Sequence, residues 1–181
     1  MRKMTMTWLF ALAALALPMR TGLAELVAGT CDAKFRVNAT MHRFTGSASC
    51  DPIALQWQDG KATLDAQVEV VKMITGNTKR DKEMFHMFNA EAHPYIKGHA
   101  AGVALKEVKV GDTFPFTLAM SGQSRELTAT VTAVENLEGG GKAVTTSFDV
   151  SLKDFNLAPP KIMFFVVFDI VHVDADFRFS P

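Results

Sequence analysis

Apolar and polar residues alternate with a period of two along most of this chain, the mark of strands with one buried face. Phe35, Val37, Ala39 and Met41 alternate with Lys34, Arg36, Asn38 and Thr40. Ala62, Leu64, Ala66, Val68 and Val70 make a second such face, with Thr63, Asp65, Gln67 and Glu69 opposite. Phe114, Phe116, Leu118 and Met120 form a third, and Leu127, Ala129, Val131 and Ala133 a fourth. Val144, Thr146, Phe148, Val150 and Leu152 follow. Val171, Val173, Ala175, Phe177 and Phe179 close the series, with Asp174, Asp176 and Arg178 on the other side. Turn residues separate these runs at Gln58-Asp59-Gly60, Gly111-Asp112, Ser121-Gly122 and Gly139-Gly140-Gly141. The glycine triplet lacks the Lys-Ser/Thr and the following helix of a phosphate loop, so it reads as a hairpin tip.

One segment departs from this rhythm. Residues 77–88 read as a short helix: Asn77 or Thr78 can cap it, and Asp81 and Glu83 sit where the helix dipole favours acids. Met84, Phe85 and Phe88 fall on one face at helical spacing. A lone helix among about eight antiparallel strands suits a lid over one end of a barrel. Barrels of that strand number either fill their interior or hold one small ligand. An immunoglobulin-like sandwich is the competing architecture, but Trp57 follows Cys50 instead of lying between the two cysteines.

The N-terminus carries a different pattern. Arg2 and Lys3 precede an unbroken apolar run from Trp8 to Leu17, which Pro18 ends. Gly22-Leu23-Ala24 offers small residues for a signal peptidase, so residues 1–24 read as a signal peptide cleaved after Ala24. The run is half the length of a bilayer-spanning helix, and no later stretch is longer. Thr30 before Cys31 is a poor lipoprotein site. The exported product is residues 25–181, a single untethered domain large enough to bury a core. Losing Arg2, Lys3 and Arg20 turns a neutral chain slightly acidic, and no basic face points to nucleic acid. In an oxidising compartment Cys31 and Cys50, the two cysteines of the chain, can form a disulfide between neighbouring strands. Without a Cys-x-x-Cys motif they do not suggest redox catalysis.

Four elements resemble the YceI-like family. Val71 to Met84, read VKMITGNTKRDKEM, is similar to a strand, a Thr-rich turn and an Arg-Asp pair opening a helix. Phe88-Asn89-Ala90 resembles the family's next aromatic step, with His93-Pro94 in its Tyr-Pro place. Ser151 to Leu157 is similar to its Lys-Asp-Phe-Asn-Ile/Leu element, and Phe168-Asp169-Ile170-Val171 to its aspartate before valines. Two features depart: Gly122-Gln123-Ser124-Arg125-Glu126 replaces the usual Gly-Val-Thr-Lys-Pro turn, and Ile162 to Phe168 is unusually apolar. The resemblance implies an exported, lipocalin-like antiparallel barrel whose interior holds a polyisoprenoid or other amphiphilic chain.

The residues are compatible with that ligand class, though a solid core would use the same strand faces. Phe35, Val37, Val68, Val70, Phe114, Phe116, Leu118, Phe148 and Phe177, with Met84, Phe85 and Phe88 of the helix, are the expected apolar lining. Arg80 and Asp81 point about 100° apart on a helix and are expected to brace the turn and the helix; Asp154 is expected to be structural too.

Chemistry has few candidates. His86, His93 and His99 match no zinc spacing, so no metal or other cofactor is expected. Asp154, Asp169, Asp174 and Asp176 could supply acid–base pairs, but no Gly-x-Ser-x-Gly, Walker or His-Glu-x-x-His element accompanies them. The expected function is therefore non-enzymatic: a periplasmic binding or carrier protein for a polyisoprenoid-like lipid. The alternative is a ligand-free interaction module serving a membrane redox or stress-response system, and a weaker one is metal or haem handling. Oligomeric state is not legible.

Overall fold

The computed structural model describes residues 25–27, 29–159, 161–162 and 165–179; the expected signal peptide lies outside the described residues. The strands are β1 (Glu25–Val27), β2 (Gly29–Ala39), β3 (His42–Gln58), β4 (Lys61–Glu69), β5 (Tyr95–Val103), β6 (Thr113–Met120), β7 (Gln123–Asn136), β8 (Lys142–Ser151), β9 (Lys161–Ile162) and β10 (Phe165–Phe179). The helix α1 spans Thr78–Phe88 between β4 and β5.

Every ladder is antiparallel. Neighbours run β3-β2-β10-β8-β7-β6-β5-β4, and β4 returns to β3, which closes an eight-stranded barrel. The long β3 makes closure possible. Its first half pairs with β2, and from Cys50 onward it pairs with β4. β1 adds outside the barrel against β3, and β9 against β10.

Two of the expected reversals form tight hairpins, while Gly111-Asp112 ends the longer β5–β6 connection and the glycine triplet lies in the five-residue connection between β7 and β8. Asp59 and Gly60 have φ of 52° and 79°, and Ser121 and Gly122 have 48° and 74°. Two successive positive φ values give the turn that matches the strand twist. Strand-face expectations fail at four positions. Val70 and Leu152 fall just past the ends of β4 and β8, in 3₁₀ turns. A register shift after Val131 leaves Ala133 exposed. β2 ends at Ala39, and Met41 sits in the turn with φ 64° and 87% exposure. Ala39 pairs directly with His42, so only two residues remain to reverse the chain, and Met41 is one of them.

The barrel's two ends are built differently. At the base, Leu55, Ala62, Leu105, Val108, Val131, Val144 and Phe179 pack into a solid cluster. At the other end α1 lies over the opening. Asn77 caps it by accepting from the N–H groups of Lys79 and Arg80. Asn89 ends it in the left-handed conformation at φ 50°. Met84 and Phe88 are buried against the barrel, and Phe85 is half-buried beside them. Cys31 and Cys50 face each other across β2 and β3 and are joined as a disulfide.

Candidate functional site: an apolar cavity in the barrel

A cavity of about 620 Å³ lies between the solid base and α1. That volume falls within the range of small-molecule pockets. Its walls draw on all eight strands of the barrel, β7 through Ala129 alone. Phe35, Val37, Val68, Phe114, Phe116, Leu118, Phe148 and Phe177 line it, and Met84 and Phe88 cover it from the helix. Phe116 and Phe148 meet edge to face at 4.8 Å between ring centroids. Two of the residues expected in the lining stand apart. Val70 belongs to a 3₁₀ turn after β4 and is fully packed into the core, and Phe85 packs against the same core without lining the space.

Small residues create the space. Ala33, Ala48, Ala66, Gly98, Ala100 and Ala129 all border the cavity. A Cβ added at Gly98 would meet no atom within 4 Å. These residues were missed as site candidates because alanine and glycine carry little apolar signal of their own. The disulfide also borders the cavity, with both cysteines buried in its wall.

Polar groups collect where α1 meets the opening. Asn77, Lys79, Arg80 and Glu83 border the cavity there, with His42 and Phe44 from β3. Arg80 and Asp81 both converge on Thr75, which is buried. Arg80 donates from Nε to Thr75 Oγ1 at 2.9 Å and from Nη2 to its carbonyl at 2.8 Å. Asp81 accepts from the Thr75 N–H at 2.9 Å and from its hydroxyl. The guanidinium also stacks on Phe44, 4.2 Å from the ring centroid. The pair thus ties the first turn of the helix to the segment entering it.

Asp154 stands in the first turn of a 3₁₀ helix over Leu152–Phe155, with its N–H donating to Ser151 Oγ. Bracing of that segment falls to Asp169, which accepts from Ser151 Oγ and the Lys153 N–H, both at 2.9 Å.

The outer face of β8 and β10 carries a second polar cluster. His172 contacts Asp149 through Nδ1 at 2.6 Å and Ser147 through Nε2 at 3.0 Å. This is the connectivity of a nucleophilic triad. It lies on an open sheet, however, and Ser147 is held in ladders on both sides, to Asp174 and to Thr130. Backbone donors engaged in a ladder cannot stabilise an oxyanion. Asp174 pairs with Arg36 at 3.1 Å, and Asp176 accepts from Thr145 at 2.6 Å. These contacts join neighbouring strands on their wet side.

The three sequence-clustered histidines separate. His99 contacts Asp65 at 2.7 Å across β4 and β5, while His93 lies against Gly122. Among the described residues no group of three or more His, Cys, Asp or Glu is placed to hold a metal ion. Nor, among them, is any helix long and apolar enough to cross a membrane.

The sequence profile of the YceI-like domain matches residues 25–179. No curated protein matches the chain. Among solved structures, BcnA of Burkholderia cenocepacia superposes with a TM-score of 0.63 at 12% identity, covering 82% of this chain and 95% of its own. A polyisoprenoid binding domain from Saccharophagus degradans, implicated in plant cell wall breakdown, gives 0.56 at 14% identity, covering 86% and 99%. At these identities the likeness is one of fold.

Proposed function

The chain belongs to the YceI-like family, and from that premise we propose that it is a non-enzymatic periplasmic carrier holding a polyisoprenoid or similar amphiphilic lipid inside the barrel. The observation that carries this reading is the cavity: about 620 Å³, apolar on its walls and closed below by packed side chains. The polyisoprenoid-binding domain with the same fold supports the choice of ligand class. Each buried methylene contributes about 0.8 kcal/mol. A dozen of them supply roughly 10 kcal/mol, from which the ordering of the chain is subtracted. Binding of this kind requires shape and dryness instead of reactive groups. Phe, Val, Leu, Met and Ala side chains make up most of the walls. The disulfide supports an oxidising compartment.

The test is to purify the exported protein, extract it with organic solvent and identify the extract by mass spectrometry. A reproducible long-chain lipid is expected. A protein that is always empty, and that takes up no isoprenoid lipid when offered one, contradicts the proposal.

A further inference from the structure

The large apolar side chains that remain in water gather at one end of the barrel. Among the described residues seven are exposed, and all but Val110 lie at the end that α1 covers. Val71, Ile74 and Tyr95 flank the segments that enter and leave the helix. Met41, Phe168 and Ile170 form a second group, on the β2–β3 turn and the start of β10. These two segments are neighbours: the Thr40 N–H donates to the Val166 carbonyl at 3.0 Å, and Ala39 pairs with Val167. They also form the edge of the cavity. Ala39, His42 and Val167 border it, whereas Met41 and Phe168, adjacent to them in sequence, do not. The outcome is an apolar lip beside the mouth.

Folding alone does not account for this lip. Met41 has φ 64°, a conformation that glycine or asparagine adopts at less cost, and its side chain is not buried in return. β10 advances four residues, from Val167 to Val171, while β2 advances two, from Ala39 to Val37. A bulge of this kind re-aims side chains. Here it leaves Phe168 and Ile170 outside, 51% and 47% exposed. Neighbouring apolar groups held in water mark a contact surface. Their position points to the kind of contact. The packed base closes the other end of the barrel, so cargo enters and leaves beside the lip, and a water-insoluble cargo comes from a bilayer. Exposed cations stand near it, Arg43 in the same hairpin and Lys79 and Lys82 on α1, with Glu83 the exposed acid on that stretch of the helix. Apolar side chains ringed by cations suit an anionic lipid surface.

Resting on the carrier reading above, we propose that Met41, Phe168 and Ile170 dock the mouth of the barrel on the surface of an anionic phospholipid bilayer, where cargo is exchanged. Cosedimentation of the exported protein with vesicles of phosphatidylethanolamine and phosphatidylglycerol tests this, with geranylgeraniol binding measured alongside in the absence of vesicles. Wild type is expected to bind the vesicles. The double variant Met41→Asn, Phe168→Ser is expected to bind them at least about tenfold more weakly, because two large apolar side chains no longer leave water. Its geranylgeraniol affinity is expected to match wild type, since neither side chain borders the cavity. Val110→Ser, away from the mouth, is expected to bind vesicles as wild type does. A wild type that takes up geranylgeraniol but stays off the vesicles overturns the proposal and leaves the carrier reading intact. So does a double variant that binds vesicles as wild type does, or a loss in Val110→Ser equal to that of the double variant. A wild type that stays off vesicles and forms a concentration-dependent dimer, which the double variant lacks, also overturns it: the lip then joins two copies of this chain. Vesicle binding without uptake of geranylgeraniol overturns the carrier reading alone, and if neither occurs both fail. Should the double variant not fold, Met41→Asn alone decides, because asparagine suits φ 64°. Weakened vesicle binding then supports the proposal, and binding equal to wild type overturns it.

Discussion

Gly46 shows how much of this barrel rests on single atoms. It lies opposite Phe35 in the β2–β3 ladder. A Cβ at that position would overlap the Phe35 ring and come within 2.8 Å of the Ile74 carbonyl oxygen. Phe35 covers the glycine, borders the cavity, and is buried in the core beneath α1. Gly46→Ala must therefore displace a ring that shapes both. Overpacking of this kind costs about 1–3 kcal/mol. The expected outcome is a lowered denaturation midpoint in urea with an unchanged slope; a midpoint equal to wild type contradicts the close approach. Nothing in the pattern of the chain marks Gly46, since a glycine in a strand signals a close neighbour without naming it. Arg80 and Asp81 were conspicuous as a motif, but their meeting on Thr75 was not legible. Residues five and six positions apart meet there only because the chain turns into the helix between them.

At the scale of elements, legibility followed the size of the inward side chains. β6, β8 and the C-terminal part of β10 bear alternating Phe, Val, Leu and Met, and their strands stand where the alternation places them. β5 left no such trace. Its inward residues, Ile96, Gly98 and Ala100, are mostly too small to register as an apolar face. That smallness makes room in the cavity, so the feature that serves the site is the one that hides the strand. The β2–β3 hairpin was readable for a different reason, since its two cysteines fall where a staple can join neighbouring strands. The loop between them spans 19 positions, and cross-linking it contributes roughly 3 kcal/mol by restricting the unfolded chain. The double variant Cys31→Ser, Cys50→Ser is expected to melt roughly 6–12 °C lower by calorimetry. A Tm within 1–2 °C of wild type, on the order of the error of such estimates, contradicts that role.

Across the whole molecule, two ends of one barrel do different work. The base is a packed core of aliphatic and aromatic side chains from several strands, with Leu55 entirely buried within it. The upper half gives up packing for volume, and α1 covers it with methionine and phenylalanine. Whether such faces meet or stand apart depends on residues far apart in sequence, so hollow and filled barrels share one pattern. The structure separates them by the small residues spread over several strands. Gly98 is the most direct place to challenge the result. Its neighbourhood is open, and it lies on the cavity wall. The central measurement is the affinity of the wild type and of Gly98→Leu for geranylgeraniol, with thermal stability recorded for both. If the barrel carries its lipid inside, the added side chain occupies the chain's place: affinity falls at least about tenfold, the cost of one to two displaced methylenes or more, while Tm stays equal or rises. Equal affinity in the two proteins, with both folded, would contradict internal carriage.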